Sequence, residues 1–169
     1  MERQPHQKDS SIISLSWIEI DHIVSTLAEK VQSDGKPEII IGLQRGGLIP
    51  GIILSHRLDV RCFISFNINR TIHDGINAEK TTPRLGPNIS FKLVEAKDIL
   101  VVDDVVGTGE TLKIVKYMLN KFSPLRLRCL VCAANRKNWD LGNTEEPASL
   151  ITYIGMEVHG WVVFPWEKD

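Results

Sequence analysis

A chain of 169 residues with 43% hydrophobic content is sized for one domain with a substantial core, at ~100 to 200 residues per domain. Its 20 basic and 21 acidic residues leave a net charge of -1, which excludes a whole-surface field for nucleic acid or an anionic membrane and makes any anion site local. The start MERQPHQKDS is polar from its first residue and no run approaches the ~18 apolar residues of a membrane span, so neither a secretory signal nor a membrane anchor is expected.

After this polar tail, taken as residues 1–10, a single domain is expected over 11–169. SWIEIDHIVSTLAEKV reads as an amphipathic helix, with Ser16 and Glu19 spaced as a capping box and Ile20, Ile23, Leu27 and Val31 at helical intervals. Asp34 and Gly35 stop it. EIIIG from Glu38 is a short buried strand, and GGLIPGIILSHRL from Gly46 restarts helical spacing with Pro50 in the first turn, where a missing amide hydrogen costs little. RCFISFNI from Arg61 is a second strand. Residues 71–88 carry little periodicity, with several glycine and proline breaks, and read as a long flexible loop. ISFKLVEAKDILVVDD then supplies a short strand and a central one, TGETLKIVKYMLNKF a helix and LRLRCLVCAA another strand; the tail alternates loop and strand through LITYIG and WVVFPW.

Strands separated by single helices predict an α/β fold, a mainly parallel sheet with helices on both faces, because parallel strands need crossovers. Ligands of such sheets collect at the carboxyl ends of the strands. LQRGG and VVGTGET both fall at that edge. Cys62, Cys129 and Cys132 cannot all pair and lie in apolar runs, which predicts buried free thiols in a reducing cytoplasm. Cys129 and Cys132 have the spacing of a metal pair, but on a strand they point to opposite faces and no second pair follows.

The chemistry concentrates in ILVVDDVVGTGETL, Ile99 to Leu112. A purely structural turn needs neither two adjacent, mutually repelling carboxylates nor this many glycines. A phosphorylation-receiver domain would place such acids at its first strand, with a later phosphate-accepting Asp and a Lys, and this chain has neither arrangement. A sugar-phosphate cradle accounts for both halves. Backbone amides from Gly107 to Thr111, at the start of a helix, form an anion site to which Thr108 and Thr111 add hydroxyls. Asp103 and Asp104 then meet sugar hydroxyls or a magnesium shell. No Lys follows the glycines, so the segment is not a P-loop.

Ile99 to Thr111 resembles, position by position, the fingerprint of the type I phosphoribosyltransferases. IGLQRGG resembles that family's pyrophosphate loop, residues 71–88 its flexible active-site loop, and GWVVFPWE its base-binding hood, placed within 134–169 and most similar to the hood of small microbial enzymes acting on hypoxanthine, guanine or xanthine. The resemblance implies transfer of ribose 5-phosphate from phosphoribosyl pyrophosphate to a purine or purine-like nucleobase, with magnesium, in purine salvage. It implies Asp103 and Asp104 on the ribose and the magnesium shell, and Gly107, Thr108, Gly109, Glu110 and Thr111 on the 5-phosphate. Arg45 with Gly46 and Gly47 would take the pyrophosphate, Trp161 would stack on the base, and the Val162 backbone would read its edge. Pro165 and Trp166 are expected to be structural. Lys80 and Arg84 are candidate pyrophosphate contacts from the loop, with His73 and Asp74 weaker ones. Family members are often homodimers or homotetramers.

The sequence departs from the pattern at two places. Gly107 stands where 6-oxopurine enzymes carry an Asp as proton acceptor, and CAANRKNW puts Ala134 or Asn135 near the usual base-contacting Lys, with Lys137 beyond. The general base is therefore unassigned. A binding or regulatory module without transfer, and transfer to a non-purine acceptor, remain as alternatives.

Overall fold

A computed structural model describes residues 12–71, 80–85 and 93–167. Its frame is a six-stranded sheet in the order β4-β3-β2-β5-β6-β7. The strands are β2 (Ile39–Gln44), β3 (Cys62–Thr71), β4 (Lys80–Leu85), β5 (Asp98–Val106), β6 (Arg126–Asn135) and β7 (Tyr153–Val158). All neighbours are parallel except β3 and β4.

Alternation along β5 builds two cores. Leu100 and Val102 pack with Ile20, Val24 and Leu27 of helix α1 (Trp17–Ser33) and Leu54 of helix α2 (Leu48–Arg57). Ile99 and Val101 pack on the other face with Leu112, Val115 and Leu119 of helix α3 (Glu110–Asn120). Both faces are covered, so the strand reads as an unbroken apolar run, and each such side chain contributes roughly 1.5–3 kcal/mol on burial. The same alternation sends Cys129 and Cys132 to opposite cores. Burial pushes their thiols up to about 11 and about 12. Cys62, expected to be buried, is instead exposed at the first position of β3.

The capping box forms as expected: Glu19 N donates to Ser16 Oγ at 3.3 Å and Ser16 N to Glu19 Oε2 at 2.7 Å. At the amino edge of the sheet Arg128, only 2% exposed, donates to both carboxylate oxygens of Asp98 at 2.9 Å and to Tyr153 Oη at 3.0 Å. Tyr153 in turn donates to Asp34 Oδ2 at 2.9 Å. This network ties β5, β6 and β7 together at the end opposite the two glycine turns.

Three elements differ from the sequence reading. Strand β1 (Ile12–Ser14) pairs in parallel with β8 (Trp161–Val163) as a separate two-stranded sheet. Helix α4 (Arg136–Gly142) follows β6 where only loop was expected, capped by Asn135, whose Oδ1 accepts from Asn138 N at 3.2 Å. Thr71 and Lys80–Leu85, assigned to an irregular loop, are strand: β4 runs antiparallel to β3 with Lys80 opposite Thr71 and Arg84 opposite Asn69. Residues 1–11, 72–79 and 86–92 lie outside the described residues, and with them the proposed tail, His73, Asp74 and most of the short strand expected before Val94. Leu93 itself opens a turn. Among the described residues no helix is long and apolar enough to cross a membrane.

Candidate functional site

The parallel strands β2 and β5 end side by side, which brings two turns remote in sequence to one place. β5 delivers Asp103 and Asp104, both half-buried; β2 delivers Arg45, Gly46 and Gly47 before α2 begins at Leu48. The turns touch because side chains are missing. A Cβ on Gly46 would sit 1.6 Å from Asp104 Oδ2, and one on Gly47 would sit 2.4 Å from Val102 O and 2.8 Å from Asp103 Cα. Neither glycine has a positive φ, so close approach, not backbone freedom, requires them. Arg45 is exposed at the head of this turn, and its carbonyl accepts from Leu48 N at 3.2 Å.

Each acid is held by local amides. Asp104 N donates to Asp103 Oδ1 at 3.0 Å, and Val105 N donates to Asp104 Oδ1 at 2.7 Å. Burial raises the pKa of Asp103 well above the carboxylate range, reinforced by the charge of Asp104. Burial likewise pushes Asp104 up to about 6, against the hydrogen bond from Val105 that favours its charged form. Burial and the closeness of the two acids disfavour their charged forms, so hydroxyl donors or a cation brought by a ligand would stabilise them.

The chain then passes through Gly107 and Thr108 to Gly109, the residue before α3, which has φ of 76°. A Cβ there would strike the Trp139 ring at 2.6 Å, so both conformation and space demand glycine. No side chain caps α3, and its first backbone bond runs from Lys113 N to Gly109 O. Helical geometry leaves the amides of Thr111 and Leu112 without intrahelical acceptors, at the positive end of the dipole. An anion fits that end.

A cavity of about 330 Å³ unites these parts. It is lined by Asp103, the 107–111 loop and the Trp161–Val162 pair, together with Asn135, Asn138 and Glu167. Asp104, Arg45, Gly46 and Gly47 do not line it; they stand behind and beside Asp103 through the contacts just described. Trp161 is held in place from outside the main sheet, since Ile12 of β1 pairs with it. Trp166 stacks on Phe164 with ring centroids 4.7 Å apart and meets Trp17 at 5.8 Å, a packing role as expected. Lys80 and Arg84 sit on the edge strand β4, with their side chains outside the described residues.

Sequence reasoning missed α4 and what it does. Trp139, 1% exposed, backs Gly109, and its Nε1 donates to Glu145 O at 2.6 Å. Asn143 Nδ2 donates to Thr108 O at 2.9 Å. Asn135 Nδ2 donates to Gly160 O at 2.8 Å, joining the end of β6 to the residue before Trp161. Asn135 followed by a turn-length polar segment was an available N-cap signal. Among the described residues no cluster of three or more His, Cys, Asp or Glu could hold a metal by protein ligands alone. Asp103 and Asp104 offer the carboxylate oxygens that a hard divalent cation prefers, as part of a shell that other oxygen donors would have to complete.

A family model described as phosphoribosyl transferase domain matches residues 16–166. The chain is 26% identical to the xanthine-guanine phosphoribosyltransferase of Cereibacter sphaeroides, over 98% of this chain and 91% of that one. Among solved structures, a purine phosphoribosyltransferase from Pyrococcus horikoshii superposes with a TM-score of 0.75 and 30% identity, covering 94% of this chain and 95% of its own. A xanthine-guanine-hypoxanthine phosphoribosyltransferase from Helicobacter pylori shares the fold at a TM-score of 0.70 and 20% identity, over 93% and 94% of the two chains.

Proposed function

Because the chain belongs to the phosphoribosyl transferase domain family, we propose that it transfers ribose 5-phosphate from phosphoribosyl pyrophosphate to a ring nitrogen of a purine base. The observation that supports this reading is one cavity that joins Asp103 at the end of β5, the uncapped start of α3 and an aromatic platform. A nucleotide-shaped ligand has a matching order of parts: sugar hydroxyls, phosphate and flat ring.

In this assignment the 5-phosphate takes the amides of Thr108 to Thr111 and the two threonine hydroxyls, with Gly107, Gly109 and Glu110 shaping the loop. Asp103 and Asp104 accept hydrogen bonds from the ribose hydroxyls and face a sugar that becomes cation-like as its bond to pyrophosphate breaks. Arg45 and the amides of Gly46 and Gly47 receive the departing pyrophosphate, so its negative charge develops against fixed positive ends. Trp161 stacks on the base, and the Val162 backbone meets its edge. The new bond joins the base nitrogen to the ribose carbon, the carbon–oxygen bond to pyrophosphate breaks with its electron pair going to the pyrophosphate oxygen, and the base's N–H proton passes to water or to that pyrophosphate. Asp103 and Asp104 would hold magnesium, directly or through water, and the ion would supply further charge neutralisation and orientation. Free thiols at Cys62, Cys129 and Cys132 support a reducing, cytoplasmic setting.

The test is pyrophosphate release from phosphoribosyl pyrophosphate and magnesium across a panel of purines. We expect release with at least one base, its loss in Asp104→Asn, and its retention in Asp140→Asn, whose carboxylate is exposed and pairs only at 3.5 Å with Arg136. Binding without release from any base would leave a nucleotide-binding module in place of an enzyme.

A further inference from the structure

Among the glycines around the cavity, Gly107 is the exception. A Cβ built on it meets only Asn138 Cβ and Nδ2, both at 3.7 Å, an ordinary contact, and its φ is not positive. Gly46, Gly47 and Gly109 are glycine because a side chain would collide. At residue 107 a side chain would meet no clash, so its absence leaves room in the cavity wall beside Asn138, the one neighbour within contact distance among the described residues.

Asn138 is well placed to use it. Its backbone N donates to Asn135 Oδ1 at 3.2 Å, and Asn135 Nδ2 donates to Gly160 O at 2.8 Å, so a connected line runs from the residue before Trp161 to the edge of the phosphate loop. Asn138 is exposed and lines the cavity, and its side-chain amide has no hydrogen-bond partner among the described residues. Asn135, by contrast, spends both ends of its amide on this scaffold. The described lining contains no Lys or Arg; its charged side chains, Asp103, Glu110 and Glu167, are all acids.

Building on the phosphoribosyl transfer proposed above, we propose that Asn138 reads the edge of the base and selects a 6-aminopurine over a 6-oxopurine. A neutral carboxamide offers one donor group beside one acceptor. Adenine presents the complement, a ring-nitrogen acceptor next to an amino donor, and asparagine pairs with that edge in two hydrogen bonds. On that same edge, N7 with the 6-substituent, a neutral 6-oxopurine presents two adjacent acceptors, N7 and O6. Such an edge suits a cation, which this wall lacks, and sets the amide oxygen against a second oxygen or nitrogen lone pair. A side chain at residue 107 would crowd the approach, so Gly107 and Asn138 act as a pair: one makes room and the other reads what enters.

Adenine and hypoxanthine differ at the 6-substituent and separate the two edges. At saturating phosphoribosyl pyrophosphate and magnesium, kcat/KM for adenine should exceed that for hypoxanthine by roughly tenfold to a hundredfold, the range one good bidentate pair supplies. Asn138→Asp keeps the shape but replaces the donor with an acceptor, and should reduce that ratio at least tenfold; Asp140→Asn on the same helix should leave it unchanged. A wild-type preference for hypoxanthine, guanine or xanthine, or an unchanged ratio in Asn138→Asp, would overturn the assignment. Should no base turn over, the transfer reading fails but this inference is still read from the nucleotides. AMP binding at least tenfold tighter than IMP by calorimetry, and losing that margin in Asn138→Asp, supports it; equal affinities refute it.

Discussion

Replacing Asp104 with Asn should make the protein more stable while it removes function. The carboxylate of Asp104 is pushed up to about 6 from 3.8, chiefly by burial, so its ionised form is disfavoured in the fold. At about 1.36 kcal/mol for each tenfold change in acidity, that rise corresponds to a cost of roughly 1–3 kcal/mol at pH 8, where the group is charged in both states. Asn is neutral, nearly isosteric, and keeps an oxygen to accept from Val105 N. A raised folded-state pKa means that the wild type is relatively most stable below the unfolded value near 4 and loses that advantage as pH rises through 6. The gain from Asp104→Asn should therefore be near zero at pH 4, grow between pH 4 and 6, and level at about 1–3 kcal/mol by pH 8. For a chain of this size that is a rise of roughly 2–12 °C in Tm. Differential scanning calorimetry of ligand-free wild type and variant across this range provides the curve. Adding magnesium and phosphoribosyl pyrophosphate should raise the Tm of the wild type and move the variant far less, since a ligand stabilises only the fold that binds it. A variant equally or less stable at pH 8, or a gain independent of pH, would refute the account of a functionally retained, thermodynamically costly carboxylate.

Two further outcomes test the frame. Asp98→Ala strips Arg128 of its bidentate partner while the guanidinium stays 2% exposed, and should cost about 3–5 kcal/mol in urea unfolding, the usual effect of stranding a buried charge. Thiol labelling of the native protein near pH 8 should modify Cys62 alone, because burial pushes Cys129 and Cys132 up to about 11 and about 12; all three should react after unfolding.

Much of the site was legible because its signals are local. The acids, glycines and threonines of residues 99–112 are contiguous, and β5 is a buried parallel strand whose apolar run cannot be mistaken for an amphipathic helix of useful length. The Ser16–Glu19 box is equally self-contained. The elements that were missed depend on distant partners. Ile12–Ser14 has no pattern of its own and becomes a strand by pairing with β8 at the far end of the chain. Lys80–Leu85 contains Pro83, which argues against a central strand but is compatible with an edge, and β4 is the edge. Arg136–Gly142 is too short for a helical period to declare itself, and its buried Trp139 is fixed by packing on Gly109. Cys62 failed for a related reason: it lies in an apolar run but at the strand's first residue, at the edge of the sheet, where it is exposed. Asn138 was invisible as a site residue because its importance comes from the space beside Gly107.

The contact between Gly46 and Asp104 also bears on how this sequence can change. Gly46 has no functional group, yet the volume its side chain would need is already filled by a carboxylate from a remote stretch of the chain. The two positions are therefore coupled: a larger residue 46 would have to turn the Asp104 carboxylate away from its present place or go with a shorter residue 104, so a substitution with no functional group of its own would act through the acid.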